Sequence, residues 1–101
     1  MTTKSFVIHF HLKKRTGVEQ AKLPVYLRLT INGERCEIHT HQHCELSRWN
    51  KQAQRAKGTT EQIRTLNAYL DALERDVQSA RLKLTELGLP VTVSGITKIL
   101  T

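Results

Sequence analysis

Residues 24–39 read Pro-Val-Tyr-Leu-Arg-Leu-Thr-Ile-Asn-Gly-Glu-Arg-Cys-Glu-Ile-His. Two runs of alternating apolar and polar residues meet at Asn32-Gly33, a pair that readily adopts the positive φ angles of a type I′ hairpin turn. A two-residue loop sets the register, because it places Leu29 opposite Cys36. Leu29–Cys36 and a second apolar pair, Leu27–Ile38, lie on one face of the hairpin. The opposite face of the hairpin then holds three polar pairs, Thr30–Arg35, Arg28–Glu37 and Tyr26–His39.

A third strand is predicted for residues 5–12, where apolar and polar residues again alternate. One face would hold Phe6, Ile8, Phe10 and Leu12, and the other would hold Ser5, Val7, His9 and His11. Residues 13–23 are polar and basic and contain Gly17, so we expect a flexible connection there. Pro24 begins the next strand, because a proline is tolerated at a strand start.

A long helix is predicted after Gly58, because Thr59 followed by Gln62 is a capping-box pattern. Gly88 and Pro90 would end this helix. Its apolar residues follow a 3-4-3-4 spacing and form one stripe: Ile63, Leu66, Leu70, Leu73, Val77, Ala80, Leu84 and Leu87. This stripe is the surface that could cover the apolar face of the sheet. The sequence therefore predicts an α+β fold, a three-stranded antiparallel sheet packed on one long C-terminal α-helix.

The predicted helix is longer than the sheet. About 29 residues span roughly 43 Å, whereas eight-residue strands span about 26 Å. We therefore expect the part of the stripe from Val77 to Leu87 to overhang the sheet, where it could contact a neighbouring domain or a second copy. Beyond Pro90 the chain resembles the start of another element, with Ser94 as its cap. We predict one domain over residues 1–88, and a linker with the start of a truncated second domain over 89–101.

The composition favours a basic binding module over an enzyme. The chain has 101 residues, with 16 Lys and Arg against nine Asp and Glu. Residues 1–58 hold eleven of the basic residues, four of the acidic ones and all five histidines. Such asymmetry is typical of a segment that contacts a polyanion. A solvated basic surface without a partner is the alternative.

Several function classes are disfavoured. No apolar run is long enough to span a membrane, and the N-terminus lacks a secretory signal, so we expect a cytoplasmic protein. Cys36 and Cys44 do not make a disulfide framework. A phosphate-binding glycine loop, paired carboxylates and an activated nucleophile are not evident, so we expect neither catalysis nor a cofactor. The histidine-rich segment His39–Cys44 raises a zinc hypothesis, but it lacks a Cys-x-x-Cys pair and Cys36 faces the core, so we predict no metal site.

The polar sheet face is the candidate binding surface, because a β-ribbon fits the major groove of B-DNA. Arg28 or Arg35 could pair with guanine, and Thr30 or Tyr26 could contact a base or a phosphate. Lysines in the adjoining loop would hold phosphates, and Glu37 would orient Arg28. The predicted DNA-binding residues are His9, His11, Lys13, Lys14, Arg15, Lys22, Tyr26, Arg28, Thr30, Arg35, His39 and His41. An ordinary solvated sheet face would also be polar, so the basic loops favour the DNA interpretation. RNA binding is disfavoured, because the exposed aromatic pair usual in RNA-binding sheets is missing.

Several motifs together resemble a known family. After Pro24–Arg35 come Leu-Ser-Arg-Trp at 46–49, Arg-Ala-Lys-Gly at 55–58, Leu-Asn-Ala-Tyr-Leu at 66–70 and Gly-Leu-Pro-Val-Thr at 88–92. Over residues 5–88 the chain resembles the N-terminal arm-type DNA-binding domain of tyrosine recombinases, the phage-integrase family, especially those of Bacteroides-type mobile elements. Residues 91–101 are similar to the start of the core-binding domain that follows. The resemblance implies a sheet that enters the major groove of arm sites, with catalysis in a separate C-terminal domain.

Two functions follow as hypotheses. The first is sequence-specific binding of double-stranded DNA by a non-catalytic module of a site-specific recombinase. The second is a protein-interaction module that uses the Val77–Leu87 stripe to assemble recombinase subunits.

Overall fold

Three antiparallel strands form the main sheet of the protein. The computed structural model describes residues 5–14 and 22–100. Strands β1 (Phe6–Leu12), β2 (Leu23–Ile31) and β3 (Glu34–Cys44) lie in the order β1-β2-β3. A long helix, α1 (Glu61–Glu86), covers the apolar face of this sheet. The predicted α+β architecture is confirmed.

The β2–β3 hairpin has the register that its turn predicts. Leu29 pairs with Cys36, and Arg28 pairs with Glu37. Asn32 and Gly33 have φ angles of 50° and 89°, the positive values that a type I′ turn requires. Asn32 Oδ1 also accepts a hydrogen bond from the backbone N–H of Ser5 at 2.9 Å. The turn is thereby joined to the start of β1.

The far end of this hairpin is irregular. Tyr26 pairs with His39, but the next recorded pair is Pro24 with His43, so β3 carries extra residues opposite β2. His41 lies in this bulge with a φ of 64°. Thr40 turns inward, and its hydroxyl donates to the carbonyl oxygen of Val25 at 2.8 Å. The bulge therefore shifts the β2–β3 pairing beyond His39, whereas His39 and His41 stay on the same face of the sheet.

Residues 45–58 form more structure than a plain connection. A short 3₁₀ helix (Leu46–Arg48) leads into strand β4 (Trp49–Asn50), which pairs with strand β5 (Arg55–Ala56). Trp49 is buried in the core, whereas Leu46 is 44% exposed. The side-chain amide of Asn67 exchanges two hydrogen bonds with the backbone of Ala56, so this small sheet is attached to α1.

Helix α1 begins one residue later than its capping pattern predicts. Thr60, not Thr59, is the N-cap, and its hydroxyl accepts from the backbone N–H of Ile63. The helix ends before Gly88, whose φ of 70° suits a residue without a Cβ atom. The buried residues of α1 are Ile63, Leu66, Leu70, Val77, Ala80 and Leu84. Leu73 is partly buried, and Leu87 is exposed.

A second helix overturns the predicted overhang. Helix α2 (Val93–Leu100) packs against the C-terminal part of α1, and its Ile96 is fully buried in the common core. Val77, Ala80 and Leu84 are buried as well, so most of the Val77–Leu87 stripe is covered and its last residue, Leu87, is left exposed. Thr92, not Ser94, accepts the capping hydrogen bond from the N–H of Gly95. Residues 91–100 thus pack with the sheet and α1, and a domain boundary at residue 88 stays a prediction.

Candidate nucleic-acid interface

The polar face of the sheet lies opposite the core. Leu27 and Leu29 of β2 are fully buried under α1, so Arg28 between them points to the other side. The β1–β2 register places His9 beside Arg28 and His11 beside Tyr26. We call the following set the polar face: Val7, His9, His11, Tyr26, Arg28, Thr30, Arg35, Glu37, His39 and His41. Each of these side chains is partly or fully exposed.

Aromatic rings form a row across the polar face. The ring centroids of Tyr26 and His39 are 4.7 Å apart, and those of His39 and His41 are also 4.7 Å apart. His9, His11 and His43 extend the row, with centroid distances of 6.0 to 6.2 Å to a neighbour. Sequence analysis did not include His43 among the binding residues, although the spacing of two along β3 places it on the same side as His39 and His41. Neighbouring rings partly cover each other, so their polar edges are the groups best placed to contact a ligand.

Glu37 contacts basic side chains from three other segments, namely β1, the segment after β1, and β2. Its carboxylate accepts from His11 Nε2 at 2.7 Å and from Lys13 Nζ at 3.3 Å. Arg28 NH2 lies 3.8 Å away, at the outer limit of an ion pair. Burial alone would raise the pKa of Glu37, but the hydrogen bonds from Lys13 and His11 outweigh it and lower that pKa. The expected contact between Glu37 and Arg28 exists, but it is the longest of the three.

Arg28 lies near the middle of the polar face. Its side chain is 37% exposed. Its Nε is buried and has no hydrogen-bond partner within residues 5–14 and 22–100. An unpaired buried donor lowers folding stability by about 1–3 kcal/mol. A rotation of the side chain that brings Nε to an acceptor on a ligand would therefore be favourable. Burial, together with the charges of His11 and Arg28, lowers the pKa of the adjacent His9.

Basic side chains surround one end of the polar face. Lys13, Lys14 and Lys22 are exposed there, as predicted, and Arg15 lies outside the described residues. The structure adds Lys51, which lines a groove of about 290 Å³ together with Lys14 and His11. It also adds Arg48, which lines a groove of about 650 Å³ together with Lys22 and His43. Arg48 and Lys51 escape sequence analysis because only the folding of residues 45–58 brings them here.

Other kinds of site find no support among the described residues. In that part of the chain, no group of three or more His, Cys, Asp or Glu side chains is arranged to hold a metal ion. Cys36 and Cys44 are free thiols, and burial raises the pKa of each. None of the helices described here combines the length and apolarity needed to cross a bilayer.

The fold is a three-stranded sheet with a helical cover, and its polar face is bordered by basic side chains. The chain belongs to the arm DNA-binding domain family, whose model matches residues 10–96. This match confirms the resemblance to arm-type domains inferred from the motifs, and with it DNA as the partner. No curated protein and no solved structure matches the chain.

Proposed function

We propose that this domain binds double-stranded DNA sequence-specifically by placing its polar face in the major groove, as the arm-site module of a tyrosine recombinase. The observation that carries the proposal is the separation of apolar and polar side chains onto opposite faces of the sheet. The apolar side chains of all three strands pack under α1, and the opposite face displays hydrogen-bonding side chains bordered by lysines. A ribbon of this width fits a groove about 12 Å wide.

The side chains divide into two kinds of contact. Arg28 and Arg35 can each donate two hydrogen bonds to one guanine, and Thr30 and Tyr26 can contact a base or a phosphate. Phosphate contacts fall to the basic border of the polar face, which comprises Lys13, Lys14 and Lys22 together with Arg48 and Lys51. Arg15, predicted for the same role, lies outside the described residues. The imidazole edges of His9, His11, His39 and His41 add donors and acceptors within the face.

The domain acts without catalysing a reaction in this proposal, and the catalytic centre would belong to another part of a recombinase encoded by a mobile element. A cytoplasmic location also stays a prediction. The competing hypothesis, subunit assembly through Val77–Leu87, loses its main support because α2 covers most of that stripe. Contact with the rest of a recombinase would need a different surface.

A chemical-shift titration with duplex DNA at two salt concentrations tests the proposal. We expect the largest shifts at Tyr26, Arg28, Thr30 and His39, and in the Lys13–Arg15 segment, because these groups would contact the groove or its phosphates. The shifts should be smaller at the higher salt concentration, since phosphate contacts weaken with salt. The matched control is one strand of the same duplex, which should give weaker shifts. Shifts confined to residues 77–87 would contradict the proposal and favour an interaction module.

DNA affinity should rise as the pH falls from about 7.5 to about 6, the range in which histidines become charged. A phosphate beside an imidazole favours its protonated form, so binding takes up protons and linkage makes affinity increase on acidification. If binding takes up about one proton, the affinity for DNA changes roughly tenfold per pH unit. His9 starts from a lowered pKa, so it is neutral near pH 7 and can gain a proton on binding.

The pH dependence is measured by fluorescence anisotropy of a labelled duplex across this range. Glu37 does not contribute, because its lowered pKa keeps it ionised throughout. The variant His9→Gln, which removes the imidazole with the lowered pKa, should show a smaller increase. A flat profile in the unmodified domain would show that the histidines do not contact phosphates.

A further inference from the structure

Glu37 is the only acidic residue of the polar face, as defined above. A carboxylate on a DNA-binding surface repels phosphates, so its presence there calls for a physical reason. Its side chain is 31% exposed, and ion pairs at such exposed positions contribute little to folding stability. Stability is therefore a poor explanation for an acidic residue at this position.

The contacts of Glu37 suggest a different role. Its two carboxylate oxygens are shared among three basic side chains, from β1, from the segment after β1 and from β2. Oε2 lies 2.7 Å from His11 Nε2 and 3.8 Å from Arg28 NH2, and Oε1 lies 3.3 Å from Lys13 Nζ. Lys13 Nζ also lies 4.8 Å from the centre of the Tyr26 ring. Long flexible side chains are thus held in one arrangement before any ligand arrives.

We propose that Glu37 is a positioning residue for specificity: it orders His11, Lys13 and Arg28 for one arrangement of base edges and phosphates, and it weakens binding to all other DNA. This inference rests on the proposed function. An ordered side chain loses less conformational freedom when it binds its correct partner. The carboxylate competes with any phosphate that approaches these cations without the correct geometry, which is a repulsive element against wrong sites.

The test compares Glu37→Gln with Glu34→Gln. Both substitutions remove one negative charge from β3. Glu34 is exposed beside the turn and pairs with Ile31, outside the polar face, so it controls for net charge alone. The probes are a duplex recovered from a random pool by selection on the unmodified domain, and a scrambled duplex of equal length and composition.

We expect Glu37→Gln to bind the scrambled duplex about fivefold more tightly, because one repulsive charge is lost. The ratio of selected to scrambled affinity should fall about tenfold, because the side chains are no longer ordered. Glu34→Gln should leave this ratio within about twofold. In the free domain, the ¹⁵N signal of His11 Nε2 should move in Glu37→Gln and stay in place in Glu34→Gln, which reports the positioning directly.

An unchanged affinity ratio in Glu37→Gln would overturn the inference, and so would an unmoved His11 signal. The failure of the proposed function looks different. If selection on the unmodified domain recovers no preferred duplex, sequence-specific binding itself is wrong, and the role of Glu37 falls with it. If a preferred duplex is recovered and the ratio survives Glu37→Gln, only the role of Glu37 is wrong.

Discussion

Raising the monovalent salt concentration from about 50 to about 200 mM should weaken duplex binding by this domain about 1,000-fold. Each phosphate that a lysine or arginine neutralises releases condensed counterions, so added salt opposes binding. The basic border of the polar face supplies enough exposed cations for five or six such contacts. A log–log slope of about −5 follows from that number of contacts. Anisotropy titrations at several salt concentrations measure the slope directly.

Two substitutions separate phosphate contacts from base contacts. Lys14→Ala should reduce the slope by about 0.9 and weaken binding to all duplexes alike, because Lys14 is exposed on the border. Arg28→Ala should cost about 1–3 kcal/mol at a preferred site and much less elsewhere, because a base contact is lost. Arg75→Ala, an exposed position on α1, is the control and should change neither quantity. A slope near zero in the unmodified domain would contradict phosphate binding by this face.

Ile96→Ala should destabilise the domain by about 2–5 kcal/mol, the usual cost of removing a large buried aliphatic side chain. Ile96 is fully buried in the core cluster, in which α2 packs on α1, β2 and β3. The truncated side chain leaves a cavity that the surrounding side chains fill only in part. Denaturant unfolding followed by circular dichroism measures the change in the free energy of unfolding.

The matched control lies on the same helix. Ile99 is 39% exposed, so Ile99→Ala should cost well under half as much as Ile96→Ala. Equal and small effects for the two variants would show that α2 is not docked in solution. In that case the Val77–Leu87 stripe would be open, and the subunit-assembly hypothesis would regain its surface.

The hairpin and the division of the sheet into two faces could be predicted because both depend on short-range rules. Asn32-Gly33 selects a two-residue turn, and that turn determines every pair up to Tyr26–His39. The period of two then assigns each side chain to a face without knowledge of the rest of the chain. Most of the proposed DNA-binding residues follow from these two rules, although their contacts with DNA stay predictions.

The bulge shows where those rules stop. Pro24 has no N–H to donate, and Thr40 turns inward to bond the carbonyl of Val25, so the simple register fails beyond His39. His39, His41 and His43 keep the spacing of two that places them on one face, but the bulge, not the turn, sets the pairing of His43 with Pro24. Whether a strand bulges depends on hydrogen bonds that compete across the sheet, and a single run of residues does not reveal that competition.

By itself, the amino-acid sequence determined the β2–β3 pairing and the buried stripe of α1, because each depends on residues that are near neighbours along the chain, and it showed the charge asymmetry directly. Only the tertiary structure decided that α2 covers the C-terminal part of α1, and that the basic side chains of His11, Lys13 and Arg28 surround Glu37. Arg48 and Lys51 likewise reach the border of the polar face only through folding. These features join segments far apart in sequence, and packing free energy, rather than local periodicity, brings such segments together.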